Sequence, residues 1–207
     1  MEVAVSFRII SHPLQVRGTP GSGKSTLADL LEQYIKDHEP RTKVIIIRRY
    51  PSGAQLMGGW MSYLKKKGWV LNNKTVLVFD EAQVSYHDME LWHIIKSVED
   101  YPQRRIILFV SYGSAKSKLA ISGALVVIPD AQRVTLTAVD HDDDLPSAGL
   151  LFSRAEINEL VLIKYPPSHF SFEPAFFDTL FDVCDGHIGA FCDFISVICT
   201  QTVSFLC

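Results

Sequence analysis

Cysteine is scarce in this 207-residue chain: Cys184, Cys192, Cys199 and Cys207 are the only four, all within the last 24 positions. Their gaps of seven or eight residues match neither a C-x-x-C metal knuckle nor a disulfide framework. They suit one helical face, so buried, reduced thiols and an intracellular, reducing setting are expected. Seven histidines are scattered without zinc-ligand spacing, which argues against a metal site built from protein ligands alone. Net charge is only −3, so the chain carries no global footprint of a nucleic-acid binder. Met1–Ile10 has Glu2 early and no basic start, full apolar centre or small-residue cleavage site, so it reads as no targeting segment. Ala190–Cys207 is apolar but short and contains Asp193, a packed helix rather than a membrane anchor. Internal repeats and low-complexity stretches are absent as well.

What is present is a core. Hydrophobic residues make up 47% and charged residues 21%, the balance of a globular chain long enough for one domain and part of another. Its most informative stretch is Gly18-Thr19-Pro20-Gly21-Ser22-Gly23-Lys24-Ser25, which fits G-x-x-x-x-G-K-[ST] at every fixed position. Glycines there let successive backbone N–H groups converge on a polyphosphate, and a helix opening from the loop adds the positive end of its dipole. Gly18 through Thr26 are therefore the expected phosphate-binding residues. Lys24 is expected to reach the β- and γ-phosphates, and Ser25 to ligate Mg²⁺. The flanks agree: Leu14–Arg17 reads as a short strand, and Leu27, Leu30, Leu31, Tyr34 and Ile35 form a helical stripe ending before Pro40.

Further strands are expected at Lys43–Arg48, a β-branched run suited to burial on both faces, and at Lys74–Asp80. The second ends in Asp80-Glu81, where open α/β sheets place their chemistry. Asp80 sits where a carboxylate would hold Mg²⁺, and Glu81 where a general base would activate water. Arg105–Val110 is another strand, and Ser111 at its end is a candidate contact to the γ-phosphate or the attacking water. Ala124–Ile128 and Arg133–Leu136 are short strand candidates, one of which completes the sheet. Helices are expected over Gln55–Lys67, with Lys65-Lys66-Lys67 as a solvated C-terminal end, and over Met89–Val98. The acidic run Asp140–Asp144 lacks the glycine and distal glutamate of a calcium loop and reads as a linker. It divides a core at 1–139 from a helical segment at 140–207. Ser153-Arg154-Ala155-Glu156 is a capping box opening that segment. Helices over Glu173–Val183 and Ile188–Ile198 follow.

The expected fold is thus α/β: a P-loop NTPase three-layer sandwich with a mostly parallel sheet, then a small helical lid or adaptor. Arg17–Ala28, Phe79–Gln83, Ser111-Tyr112-Gly113-Ser114 and Gly149–Ser153 together resemble the NTPase domain of crinkler-type proteins. These are relatives of the AAA+ and signal-transduction (STAND) ATPases, and the resemblance runs from about residue 14 to 195. Gly186-His187-Ile188-Gly189-Ala190 is similar to the Gly-x-Pro turn of STAND lids, which lies near the base, with Gly189 in place of the proline.

The resemblance implies ATP (or GTP) as substrate, Mg²⁺ as cofactor, and a homo-oligomer or a host protein as partner. It implies no membrane, and nucleic acid only through domains outside this chain. It also implies a module, here without ubiquitin-like header or effector domain, of a secreted effector acting in host cytoplasm or nucleus. Arg104, Arg105, Arg133 and Arg154 are the arginines nominated to steady transition-state charge, in cis or across an oligomer. Two rival readings stand beside hydrolysis. One is a nucleotide-gated switch with slow turnover. The other is a superfamily-one helicase fragment, because Asp80-Glu81-Ala82-Gln83 matches that acid motif too. Such helicases continue with Gly-Asp-x-x-Gln, where this chain has Ser111-Tyr112-Gly113-Ser114.

Overall fold

Five short runs, three of them predominantly apolar, pair into one parallel sheet. They are β1 (Leu14–Gly18), β2 (Lys43–Ile47), β3 (Thr75–Phe79), β4 (Arg104–Ser111) and β5 (Arg133–Val134). The computed structural model describes residues 13–53, 55–70, 73–101, 103–111, 128–137, 149–165 and 173–204. Strand order is β2-β3-β4-β1-β5. The strand that follows the acid pair therefore inserts between the loop strand and the acid strand, with Gly18 in register with Ser111 and Phe79 with Leu108. Because every pairing is parallel, Gly18, Ile47, Phe79 and Ser111 all end at one edge of the sheet.

Side-chain alternation sends residues to both faces of the sheet, and the central strands β3 and β4 are buried on both. Leu77, Phe79, Ile106, Leu108 and Val110 pack against Trp60 and Leu64 of α2 (Gly59–Lys67) and Leu91 and Ile95 of α3 (Met89–Lys96). Val16, Val76, Val78, Ile107 and Phe109 pack on Ala28 and Ile35 of α1 (Lys24–His38). Helix, sheet, helix is the three-layer α/β sandwich. β3 is buried at all five positions, and each of its four apolar side chains contributes about 1.5–3 kcal/mol by leaving water. Asp88 caps α3 by accepting the Leu91 N–H at 3.1 Å, and it also accepts Tyr50 Oη–H and Trp60 Nε1–H. Burial and the Asp88 carboxylate push the Tyr50 hydroxyl up to about 12. This network fastens the chain leaving β2 to the starts of α2 and α3.

Beyond the sheet, α4 (Arg154–Lys164), α5 (Pro174–Cys184) and α6 (Ile188–Ser204) surround their own core of Ile157, Val161, Leu180, Cys184, Phe191 and Ile195. Ser153 and Glu156 complete the capping box, each bonding the other's backbone. The chain entering this segment still belongs to the sheet: Leu150 N–H donates to the Thr135 and Leu136 carbonyls, and its side chain joins the α1 face of the core.

Several expectations shift. β2 is an edge strand, so Val44 and Ile46 are only half-buried rather than covered on both faces. α2 starts at Gly59 rather than at Gln55, because Gly58 and Gly59 take left-handed φ values of 92° and 79° that a helix does not continue. Leu27 and Leu30 are 37% and 62% exposed and point away from the sheet; Ala28 and Ile35 make that contact. The cysteines do not share one helix: Cys184 ends α5, while Cys192 and Cys199 lie on α6, all three as free thiols. Arg133–Val134 completes the sheet beside β1. Residues 112–127, the acidic run 140–144 with its domain boundary, Pro166-Pro167 and Cys207 lie outside the described residues.

Candidate nucleotide-phosphate site

At the carboxyl edge of the sheet the chain leaves β1 through Gly18 and enters α1 at Lys24. The turn between them needs glycine twice for conformation: Gly21 and Gly23 have φ of 78° and 82°. At Gly18 a Cβ would lie 2.4 Å from Ser22 Oγ and 2.6 Å from Leu150 Cδ1, so both side chains would have to shift to admit one. Ser22 N–H donates to the Thr19 carbonyl at 3.2 Å and closes the loop. Ser22 itself is buried, and its hydroxyl has no hydrogen-bond partner among the described residues. Pro20, Ser25 and Thr26 are exposed, and Thr19 is half-buried.

Lys24 is 5% exposed and donates to the Gly18 carbonyl at 3.2 Å and the Thr19 carbonyl at 2.7 Å. Burial lowers the affinity of its amine for a proton, and the nearby negative charges of Glu81 and Asp80 work the other way. Ser25 Oγ donates to Asp80 Oδ2 at 2.8 Å, joining two residues 55 positions apart. The remaining Asp80 oxygen, Oδ1, accepts the Glu81 N–H at 3.1 Å, and Asp80 N–H donates to the Ile47 carbonyl at 2.9 Å. A hydroxyl and a carboxylate together are hard oxygen donors of the kind Mg²⁺ takes when phosphates and water fill its remaining positions. Among the described residues no cluster of three His, Cys, Asp or Glu could hold a metal without such help.

Glu81 follows Asp80 in a left-handed conformation, φ 56°, that a non-glycine residue adopts at a cost of about 1–3 kcal/mol. The turn projects an exposed carboxylate beyond the sheet edge. Its Oε1 accepts the Ser111 Oγ–H at 3.1 Å, and its Oε2 accepts Gln83 Nε2–H. Gln83, buried, also accepts the Ser111 N–H at 3.1 Å through Oε1. Lys24, Ser25, Asp80, Glu81 and Ser111 thus meet at one sheet edge, and Gln83 is the member that sequence reading passed over. Its signal was its place two residues after Glu81 in a tight turn.

The nominated arginines are elsewhere. Arg104, Arg105 and Arg133 begin β4 and β5, at the opposite edge. Arg105 is held by Glu39 and Arg133 by Asp130. Arg154 pairs with Asp178 at 2.6 Å in the helical segment. Two arginines do follow a strand at the site edge, Arg48 and Arg49 after β2; Arg48 is paired with Asp29 of α1, whose carboxylate favours its protonated form. Beside the loop lies a cavity of about 350 Å³ between α1 and the helical segment, with Ser22, Thr26, Leu27, Leu150, Phe152 and Ile188 in its walls. This cavity explains the exposed leucines of α1. The helical segment reaches the loop directly as well: His187 Nε2 lies 2.8 Å from Thr19 Oγ1.

No protein-family model and no curated protein matches the chain. Among solved structures it is similar to domain III of the Thermotoga maritima replication initiation protein DnaA, at 13% identity and a TM-score of 0.49, covering 97% of this chain and 80% of that one. It is also similar to PCH-2 of C. elegans, at 13% identity and a TM-score of 0.37, covering 56% of this chain and spanning only 35% of that one.

Proposed function

We propose that this chain binds a nucleoside triphosphate, ATP or GTP, together with Mg²⁺ and hydrolyses it as an AAA+/STAND-like P-loop ATPase module. The observation that carries the reading is the 2.8 Å bond from Ser25 to Asp80, which joins the end of the phosphate loop to the acid strand across an intervening strand. In this reading the loop amides and Lys24 hold the phosphates, and Ser25 and Asp80 would hold Mg²⁺. The ion, when bound, supplies charge neutralisation at the β- and γ-oxygens. Glu81, at the open edge, orients and deprotonates the attacking water. Ser111 positions Glu81 through its hydroxyl. The cavity with apolar walls beside the loop is at the small end of ligand pockets and would take the base. Assignment to a crinkler-type module is carried by the motifs quoted from the sequence.

A nucleotide-gated switch is a second reading with its own support. Both Glu81 oxygens already accept one hydrogen bond each, from Ser111 and Gln83, so the carboxylate is tied into the protein and only one lone-pair site on each oxygen is left for a water. In this reading partner binding or self-association, rather than turnover, is the output.

Phosphate release with Mg²⁺ and ATP or GTP, measured beside equilibrium binding, separates the two. Hydrolysis predicts that Glu81→Gln binds nucleotide as the wild type does and turns over about 10²–10⁴-fold more slowly. A wild type that binds without turnover, and a Glu81→Gln variant indistinguishable from it, establishes the switch. Absence of binding in the wild type overturns both.

A further inference from the structure

His187 and Gly189 make an arrangement that the proposed chemistry does not use. α5 ends through Asp185 and Gly186, both left-handed at φ 47° and 75°, and α6 begins two residues later. His187 occupies the capping position of α6: its Nδ1 accepts the Ala190 N–H at 3.1 Å. An imidazole nitrogen that accepts carries no proton, so the neutral ring bears it on Nε2. Nε2–H then donates to Thr19 Oγ1, at 2.8 Å. One ring therefore caps a helix of the helical segment and holds the phosphate loop at the same time, across 168 positions of sequence.

Gly189 brings the two backbones into contact. A Cβ at Gly189 would lie 2.5 Å from the Gly21 carbonyl oxygen, 2.9 Å from its Cα and 3.0 Å from its carbonyl carbon. No flexible side chain could move aside to make room. Glycine is required here by proximity, whereas Gly21 opposite is required by its left-handed φ. On the other side the same turn is seated on Phe152: Phe152 N–H donates to the Gly186 carbonyl at 2.9 Å, and a Cβ on Gly186 would meet Phe152 O at 2.4 Å. Ile188, between His187 and Gly189, lines the cavity beside the loop together with Phe152, Ser22 and Gly23.

We propose that His187 and Gly189 form a joint through which the helical segment grips the outer surface of the phosphate loop. Phosphate binding inside the loop and the seating of α6 are then one coupled equilibrium. The proposal rests on the reading that this loop binds nucleotide phosphate. Its physical basis is that the loop has little freedom of its own. Its inner surface presents backbone N–H groups to the ligand, and its outer surface, the Gly21 carbonyl and Thr19 hydroxyl, is in contact with α6. Any adjustment of Thr19–Gly23 to a phosphate displaces atoms that His187 and Gly189 touch. By reciprocity, whatever reseats α6 changes phosphate affinity by the same factor. His187 is a positioning residue, acting through Thr19.

The test uses the full chain with Mg²⁺ and ADP as the probe, reading ADP affinity and hydrogen exchange at the Phe152 amide, which reports the seating of the turn. In the wild type ADP slows exchange at Phe152. In His187→Ala, ADP affinity falls about 5–10-fold, in the range of ordinary coupling energies, and the Phe152 response to ADP is lost. His187→Gln, whose amide N–H can reach Thr19, restores much of both. Thr19→Val and His187→Ala combined are no worse than the weaker-binding single variant, because both remove one contact. Additive losses in that cycle, or a Phe152 response that survives His187→Ala, overturn the joint and leave the phosphate site standing. A wild type that binds no ADP overturns both.

Discussion

Lys24 and Arg104 are both buried cations, 5% and 4% exposed, and they stand at opposite edges of the same sheet. Burial lowers the proton affinity of each; what surrounds them differs. The Arg104 guanidinium lies 4.7 Å from the Trp69 ring centre and 4.6 Å from that of Tyr101. This is a filled slot in which a cation that keeps its proton is held by ring faces. Lys24 has two neutral carbonyls as hydrogen-bond acceptors and two carboxylates in its surroundings. An ammonium has three donors, and two are used here. At one edge of the sheet the cation is enclosed by ring faces, while at the other a cation and two carboxylates stand together, where on the proposed reading a phosphate and Mg²⁺ would join them. That is the difference between a cation packed into the fold and one that, on the proposed reading, would serve a ligand.

The largest expected effect breaks the ligand-serving side. Lys24→Ala should weaken Mg²⁺–ATP binding about 100-fold, or ~2.7 kcal/mol, by isothermal titration. Its melting temperature should change little, since the desolvation cost of the buried ammonium goes together with its hydrogen bonds to the Gly18 and Thr19 carbonyls. A variant that binds as tightly as wild type would place Lys24 with Arg104 as a structural cation and remove the basis of the comparison.

Arg104→Ala should do the reverse. It leaves a hole between two rings and removes two cation–π contacts worth about 0.5–2 kcal/mol each. Part of that loss is returned, because Nε and Nη2 of Arg104 are buried with no hydrogen-bond partner among the described residues. A net destabilisation of roughly 2 kcal/mol in urea unfolding is expected, with nucleotide affinity within about twofold of wild type. A large loss of affinity in a folded variant would mean that the two edges communicate through β4.

The same contrast explains what could be read from the chain. The phosphate loop and Asp80-Glu81 were legible because their chemistry is written in consecutive residues, and buried strands announce themselves as β-branched runs. Strand order was not legible, since β4 pairs with both β1 and β3 across long separations that no local pattern encodes. The arginines were nominated by type alone. That Arg104, Arg105 and Arg133 begin their strands already put them at the edge away from the site. The late start of α2 was also on the page, in the Gly58-Gly59 pair. The contact of His187 with Thr19 was not: it depends on how α6 docks, and the likeness of Gly186–Ala190 to a lid turn pointed to the stretch without naming the contact. Leu27 and Leu30 belong to the α1 stripe as read, but that stripe is wider than the sheet, and its outer part forms the wall of the cavity.

The smallest expected effect sharpens the structural edge alone. Glu39, which caps the C-terminal end of α1, accepts both Arg105 Nη1–H at 2.9 Å and Nη2–H at 2.6 Å, and accepts the Thr42 hydroxyl at 2.8 Å. The hydrogen bond from Arg105 is the main reason its carboxyl sits below the usual carboxylate range, with burial opposing and Thr42 assisting. A carboxylate depressed in the folded state contributes stability that is fully present above its unfolded value. That contribution is lost as pH falls through the folded value, because the unfolded chain then binds the extra proton. Glu39→Gln should therefore flatten the acid limb of stability against pH between about 3 and 5 by less than one proton. The Glu39 side chain is 34% exposed, and solvent screening keeps the change modest. Nucleotide binding at neutral pH should be untouched. Urea unfolding at stepped pH values measures it directly. Parallel curves for wild type and variant would show that Arg105 and Glu39 meet without stabilising the fold, leaving the ring-stacked Arg104 as the cation that secures this edge.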